Sequence, residues 1–216
     1  FLLLVCLLLA PAKTMAADET TQLSAAERAW LARNHTVRIR VSDYPPYMFS
    51  KPSPTGLSVD YLIAVAKRFG FKIELVVATL SWPDSMHDVL GARHHYDLLP
   101  TMTSTPQREQ QFALTKPYLI APWVVYARTD APYIIGLESL DGKKVAAEKG
   151  YVITEKLKSH YPKIRILEVA NSAQALASVA TGTADAYVGN LANGTFLIRE
   201  QRLDNLVVAA PTPYGA

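Results

Sequence analysis

A short polar segment in the first half of the chain combines residue types that bind small anions. An apolar run from Leu98 to Met102 leads into three hydroxyl residues, and Arg108 follows. Thr105 and Pro106 suit the N-cap and first position of a helix, whose free N–H groups and dipole attract negative charge. The Arg108 guanidinium can match a carboxylate or phosphate with two parallel hydrogen bonds. The segment therefore predicts a seat for a small anion, although a surface turn with a solvated arginine is the alternative.

Composition and charge limit the kinds of partner. The chain has 216 residues, of which 50% are hydrophobic and 19% charged, as in ordinary globular proteins. This length allows one large domain or two small lobes. The formal net charge is +3 without a dense block of lysine and arginine, so we expect no nucleic-acid partner.

The N-terminus has the character of the apolar part of a secretory signal. Residues 1–10 are all apolar, are too few to span a bilayer, and precede small residues suited to cleavage. We expect a partial signal peptide over residues 1–17, with its charged start missing, and a periplasmic bacterial location. A buried core helix is the alternative, but it would be amphipathic. Cys6 lies inside this run after the large Val5, so we expect neither a disulfide nor a lipid anchor.

In the first half, strand and helix patterns alternate and place the polar segment after a strand. The predicted elements are a leader helix within 18–36 that starts at the capping box Ser24–Glu27, strands at 37–41, 71–77 and 97–102, and helices capped by Ser58 and Ser81. Gly70 should end the first of these two helices. Asp43–Tyr47 contains two prolines and should form a rigid loop.

The second half repeats this order after an apolar, extended segment at 117–128. The predicted elements are strands at 144–147, 164–169, 185–188 and 206–210, and helices at 152–161, 171–182 and 192–200. Two β-α-β-α-β units joined by a crossing segment predict two α/β lobes with a cleft between them. Ligands of such sheets bind beyond the carboxyl ends of the strands, where the turn from Thr103 to Arg108 falls.

Several motifs together resemble the family 3 periplasmic solute-binding proteins. They are Gly56–Leu62, Asp97 with Thr105–Arg108, Phe112–Tyr118 and Gly182–Ala186, and the likeness runs from Val37 to the end of the chain. The resemblance implies an α/β, two-lobe Venus flytrap fold, type II-like, with a hinge of two crossing segments. It implies lobe 1 at 37–123, lobe 2 at 124–210, and at 211–216 the start of a return to lobe 1 whose remainder is missing.

A smaller set of features is similar to one branch of this family. The features are the leader helix at 23–31, Ser81-Trp82, Gly150-Tyr151, Tyr161-Pro162 and Ala186–Leu191. They resemble the periplasmic input domains of hybrid sensor histidine kinases related to BvgS and EvgS.

The resemblance also implies a ligand site. Its residues are Tyr44, Trp82, Thr101, Thr103, Arg108 and Asn190. In amino-acid binders of the family, the residues that match Thr103 and Arg108 clasp the ligand's carboxylate, and an aspartate in the other lobe receives its ammonium group. Here that place falls on Asn190, whose neutral amide cannot pair with a buried ammonium. A plain carboxylate or another small polar anion is therefore the expected ligand, and Asn190 serving only as a helix N-cap is the alternative.

Metal and cofactor chemistry has weak support. His87, His94, His95 and Asp97 could be imagined as ligands, but neighbouring histidines on a strand point to opposite faces and His87 lies on the preceding helix. We expect no cofactor and no metal.

Three functions remain open on the sequence. The first is a sensor input domain that closes on a small solute, with membrane attachment outside these residues and a possible homodimeric receptor; the second is a free binding protein for a transporter. The third is enzymatic: a regulatory domain of a lytic transglycosylase, or a dehydratase built on the fold. A dehydratase needs a buried acid in the cleft. Asn190 cannot supply one, and Glu148, next to Lys149 at a strand end, is expected to be exposed.

Overall fold

The computed structural model describes residues 23–92 and 94–215. The predicted signal peptide at 1–17 lies outside these ranges. The leader helix, α1, spans Ala25–Ala32. Its capping box is confirmed, because the Glu27 N–H donates to Ser24 Oγ and the Ser24 N–H donates to the Glu27 carboxylate. No helix in the described ranges is long and apolar enough to cross a membrane.

Lobe 1 is built on two parallel strands. Its elements are β1 Thr36–Val41, α2 Leu57–Phe69, β2 Lys72–Val77, α3 Trp82–Val89 and the short α4 Pro106–Glu109. The strands pair in register from Thr36 with Lys72 to Val41 with Val77. A small core of Val41, Tyr47, Met48 and Val59 lies beneath the Asp43–Tyr47 loop.

The predicted third strand of lobe 1, at 97–102, is wrong. Leu98 forms one parallel bridge with Ile39, and the ladder then stops. Pro100 has no N–H to donate, and Thr101 has a φ of 60°, which turns the chain out of an extended path. The chain therefore leaves the sheet after Leu98, earlier than the apolar run at 98–102 predicts.

Helix α2 begins two residues earlier than predicted, and Ser58 is not its cap. Gly56 is the N-cap, with a φ of 118°. A Cβ on Gly56 would lie 2.6 Å from the Tyr47 carbonyl oxygen, so only glycine fits there. Ser58 is buried and accepts a hydrogen bond from the Tyr118 hydroxyl. Gly70 ends the helix in the left-handed conformation, as predicted.

Lobe 2 contains a five-stranded sheet with helices on both faces. Its elements are β3 Pro122–Arg128, a 3-10 turn at Leu137–Leu140, β4 Lys144–Glu148, α5 Val152–His160, β5 Arg165–Val169, α6 Ser172–Ala180, β6 Ala186–Asn190, α7 Leu191–Glu200 and β7 Leu206–Gly215. The strand order is β5-β4-β6-β3-β7, with β4 parallel to β5 and β6. Two apolar clusters, one around Val145 and Leu157 and one around Leu176 and Tyr187, form the core.

Two adjacent strands connect the lobes. β3 enters lobe 2 and β7 runs back beside it, antiparallel, with Arg128 opposite Leu206 at one end and Pro122 opposite Gly215 at the other. β7 continues five residues past the strand predicted at 206–210. This pair of crossing strands forms the expected hinge of the Venus flytrap fold.

Candidate functional site

A cavity of about 300 Å³ lies between the two lobes. Five of the six predicted site residues line it: Tyr44, Trp82, Thr101, Thr103 and Arg108. Lobe 2 contributes Tyr151, Val152, Ala170 and Asn171, and the hinge strand β3 contributes Trp123. Most of the polar and charged groups thus come from lobe 1.

Arg108 is positioned by the short helix α4. Thr105 caps this helix by accepting a hydrogen bond from the Arg108 N–H at 3.2 Å, as predicted. Nη1 of Arg108 donates to the Thr103 carbonyl at 2.9 Å, and Nη2 donates across the cleft to the Gly150 carbonyl at 3.3 Å. Burial lowers the pKa of the guanidinium. Its partners orient the group but bring no negative charge.

The two threonines of the polar segment differ in what their hydroxyls do. Thr101 has the left-handed φ of 60°, and its hydroxyl donates to the Pro100 carbonyl at 2.7 Å. Thr103 also lines the cavity, and its hydroxyl has no protein partner among the described residues. Thr103 is therefore the better placed of the two to donate to a bound anion.

Aromatic rings form the walls of the cavity. Tyr151, at the start of α5, lies edge-on to Tyr44 at a centroid distance of 6.4 Å and to Trp82 at 6.2 Å. Tyr44 in turn stacks on Tyr47. The sequence motif Gly150-Tyr151 indicated the family branch but did not identify Tyr151 as a site residue.

Asn190 does not line the cavity. Its Oδ1 caps α7 by accepting from the Asn193 N–H at 2.9 Å, and it also accepts from the Tyr47 hydroxyl at 3.2 Å. These contacts agree with the alternative interpretation, in which Asn190 is the N-cap of a helix. Its bond to Tyr47 also joins the two lobes.

Sequence reasoning missed Arg40. Its side chain extends from β1 into the cavity lining, and the residue is only 5% exposed. Nε and Nη1 donate to the hydroxyls of Ser85 and Ser42, each at 2.8 Å, and the guanidinium lies 5.5 Å from the centre of the Trp82 ring. Burial lowers the pKa of Arg40. Its position near the carboxyl end of β1 was the available signal, because that edge of the sheet faces the cleft.

Glu148 corrects another expectation, because it is buried rather than exposed. Only 1% of the residue is accessible. Oε1 accepts from the hydroxyls of Ser172 at 2.6 Å and Tyr187 at 2.7 Å, while Oε2 is buried with no partner in the described part of the chain. Burial raises the pKa of Glu148. The carboxyl group points into the lobe 2 core and does not line the cavity.

The lobes touch at several points around the cavity. Besides the Arg108 and Asn190 contacts, Asn193 Nδ2 donates to the Pro45 carbonyl at 2.6 Å, and Phe49 packs edge-on against Phe196. Gly150 has a φ of 76°, and a Cβ there would lie 2.7 Å from Pro83 Cγ. The structure therefore shows the lobes closed on each other.

The histidines considered as metal ligands bind different carboxylates. His94 contacts Asp97 at 2.8 Å, and His95 contacts Asp88 at 2.6 Å. Within 23–92 and 94–215, no group of three or more His, Cys, Asp or Glu side chains could hold a metal ion.

Two α/β lobes, two crossing strands and a polar cavity between the lobes define the class of periplasmic-binding-protein-like solute receptors. Residues 37–186, more than half of the chain, match the bacterial extracellular solute-binding proteins, family 3. The chain belongs to this family.

Comparisons with individual proteins link the chain to sensor kinases and to a binding protein. The virulence sensor protein BvgS of Bordetella pertussis is 27% identical over 204 residues, covering 92% of this chain but 16% of BvgS. The probable amino-acid-binding protein YxeM of Bacillus subtilis is 30% identical over 139 residues, covering 63% of this chain and 51% of YxeM. The chain thus spans about a sixth of its sensor relative.

A solved structure has the same fold and a related sequence. It is a histidine kinase sensor domain with similarity to periplasmic binding proteins, with a TM-score of 0.79 and 29% identity. The alignment covers 85% of this chain and 80% of that domain. The predicted fold and the predicted relationship to sensor kinases are both confirmed.

Proposed function

We propose that this chain binds a small carboxylate-bearing solute outside the cytoplasm by closing its lobes, as the sensory domain of a transmembrane sensor histidine kinase. One observation carries the binding proposal. Arg108 lines the interlobe cavity with no carboxylate partner among the described residues, beside the free hydroxyl of Thr103. A partly buried cation without a counter-ion is unfavourable, and an anionic ligand reduces that cost.

The bond from Arg108 to Gly150 explains how ligand binding would favour closure. Arg108 belongs to lobe 1 and Gly150 to lobe 2, so the same guanidinium touches the ligand seat and the opposite lobe. A ligand that contacts both lobes binds the closed state more tightly than the open one. It therefore shifts the population toward closure.

The contacts of Asn190 support a solute without an α-ammonium group. Its side-chain oxygen is already shared by Tyr47 and the cap of α7, away from the cavity. The carboxylate that does line the cavity is Asp43, whose Oδ1 accepts from the Ser50 N–H and hydroxyl. The ammonium group of an amino acid would have to pair with Asp43. Amino acids therefore belong in the ligand panel as the competing class.

Two roles for the whole protein compete. Likeness to BvgS and to a kinase sensor domain supports the sensor role, whereas likeness to YxeM supports a free binding protein that delivers solute to a transporter. The gene sequence downstream of codon 216 separates them. A transmembrane helix followed by a kinase core is expected, and a stop codon shortly after codon 216 would contradict the sensor role.

The binding proposal is tested by calorimetric titration with a panel of small carboxylates and amino acids. We expect Arg108→Ala to weaken carboxylate binding by about tenfold to a hundredfold, as for the loss of charge-assisted hydrogen bonds. The control is Arg199→Ala, which removes an exposed arginine at the end of α7. Equal affinity in the Arg108 variant and the wild type would refute the proposal that Arg108 binds the carboxylate.

A further inference from the structure

Two arginines, not one, lie in the cavity without a counter-ion. Arg40 and Arg108 both line it, and neither makes an ion pair with a carboxylate of the described residues. Arg38, two positions earlier on β1, shows the usual alternative: it forms an ion pair with Asp97 at 2.9 Å. Arg40 therefore lacks an acidic partner because of its position in the cavity and not because it lies on β1.

The surroundings of Arg40 fix its geometry but leave its charge uncompensated. Three of its nitrogens donate to neutral acceptors: Ser85 Oγ, Ser42 Oγ and, at 3.3 Å, the Leu80 carbonyl. A guanidinium carries five N–H donors, so two remain for another acceptor. Since arginine does not lose its proton at physiological pH, the charge persists whatever the burial.

Among the described residues that line the cavity, Asp43 is the one acidic residue, and it forms an ion pair with neither arginine. Its carboxylate accepts hydrogen bonds from the N–H and hydroxyl of Ser50, and Asp43 is exposed, whereas Arg40 is buried. With two arginines and one aspartate, the described lining residues carry a net charge of +1. The two positive groups are the more buried ones, so the interior of the cavity is the positive part.

We propose that the solute is a dicarboxylate, with one carboxylate held by Arg108 and Thr103 and the other by Arg40 and Ser42. This inference rests on the proposed carboxylate-binding function and adds the ligand class. The cavity of about 300 Å³ suits a short chain between the two groups, since sites for small molecules begin near this size. Trp82, which lies under the Arg40 guanidinium, and Tyr151 provide apolar walls for such a chain.

The test compares matched pairs of probes on the unaltered protein. Succinate is paired with butyrate and glutarate with valerate, so that each pair differs only in the second carboxylate. We expect the dicarboxylate to bind at least about tenfold more tightly in one pair, as for one added charge-assisted interaction. Equal affinities within both pairs would overturn the dicarboxylate inference.

Two variants then assign the two carboxylates. Arg40→Met keeps most of the apolar stem but removes the guanidinium. It should abolish the preference, so that the dicarboxylate and its monocarboxylate partner bind this variant with affinities within about threefold of each other. Arg108→Met should weaken both members of the pair. A dicarboxylate preference that survives Arg40→Met would overturn the assignment of Arg40.

The outcomes also separate this inference from the proposed function. If the wild type binds both members of each pair equally but Arg108→Met still weakens carboxylate binding, only the dicarboxylate inference is contradicted. Carboxylate binding that is insensitive to Arg108→Met contradicts the proposed function, in which Arg108 binds a carboxylate. If no carboxylate of either series binds, both proposals fail. Circular dichroism of each variant establishes that it is folded, and the comparison on the wild type needs no variant at all.

Discussion

Each lobe contains buried or partly buried charged side chains that have no oppositely charged partner among the described residues, but the two lobes place them differently. In lobe 1, Arg40 and Arg108 lie on the wall of the cavity. In lobe 2, Glu148 lies in the core, away from the cavity. An arginine cannot become neutral by losing its proton, whereas a carboxylate can become neutral by gaining one. The arginine charges of lobe 1 can therefore be compensated only by an anion, whereas Glu148 can be neutralised by a proton.

Hydrogen bonds support the same distinction. The cavity arginines donate to serine hydroxyls and carbonyls that leave their charge in place. Glu148 accepts from Ser172, at the start of α6, and from Tyr187 on β6, so it joins a helix and two strands of lobe 2. We infer that Glu148 stabilises the fold of lobe 2, whereas the two arginines bind the ligand. The following predictions test this division.

The largest effect is expected from removing the Glu148 side chain. Glu148→Ala leaves the Ser172 and Tyr187 hydroxyls without their buried acceptor and opens a cavity in the core. Together these losses should reduce the free energy of unfolding by about 3 kcal/mol. Urea unfolding followed by tryptophan fluorescence measures the change.

Glu148→Gln is the matched control for this variant. It keeps the volume and an oxygen that can accept from the two hydroxyls, so at pH 5 we expect a change within about 1 kcal/mol. A Glu148→Ala variant as stable as the wild type would show that the buried carboxyl does not hold lobe 2 together.

A smaller effect is expected from pH. Because burial raises the pKa of Glu148 in the folded protein, this group binds its proton more tightly there than in the unfolded chain. Its contribution to stability is complete below the unfolded pKa, usually near 4.5, and is lost as pH rises through the folded pKa. Relative to Glu148→Gln, the wild type should lose about 1.4 kcal/mol per pH unit across that interval.

Unfolding curves of the two proteins, taken from pH 4 to pH 8 in steps, measure this difference. Comparing the wild type with Glu148→Gln cancels the titration of the other acids, including Asp97, whose pKa is lowered chiefly by its hydrogen bond to Arg38. A difference that is constant with pH would mean that Glu148 ionises in the folded protein as it does in the unfolded one.

The sequence was sufficient where structure depends on local signals. The capping box at Ser24, the Ser81 cap, the start of α4 at Thr105-Pro106 and the left-handed Gly70 are all read from neighbouring residues, and all are present. The sequence patterns also predicted the first crossing segment and the order of elements in lobe 2, whereas the second crossing segment was expected from the family resemblance.

It was insufficient where a turn inside an apolar run ends a strand and where distant residues decide the outcome. The apolar run at 98–102 fits a strand, but the Thr101 turn ends pairing after one bridge. Glu148 is next to a lysine in the sequence, yet its environment is set by Ser172 and Tyr187, 24 and 39 residues away. The alternation in β1 makes Arg38 and Arg40 equivalent, and only tertiary contacts give one of them Asp97 and the other the cavity.

The smallest effect is expected from Arg40→Met in the ligand-free protein. Removing a buried, unpaired charge relieves its desolvation cost, and the Ser85 hydroxyl keeps its bond to the Ser81 carbonyl at 2.8 Å. The free energy of unfolding should therefore change by less than about 1 kcal/mol. Arg38→Met is the matched control on the same strand, and it should be more destabilising because it strips Asp97 of its bidentate partner. If Arg40→Met proves more costly than Arg38→Met in urea unfolding without ligand, Arg40 supports the fold of lobe 1, and the contrast between a ligand-directed charge and a structural one fails.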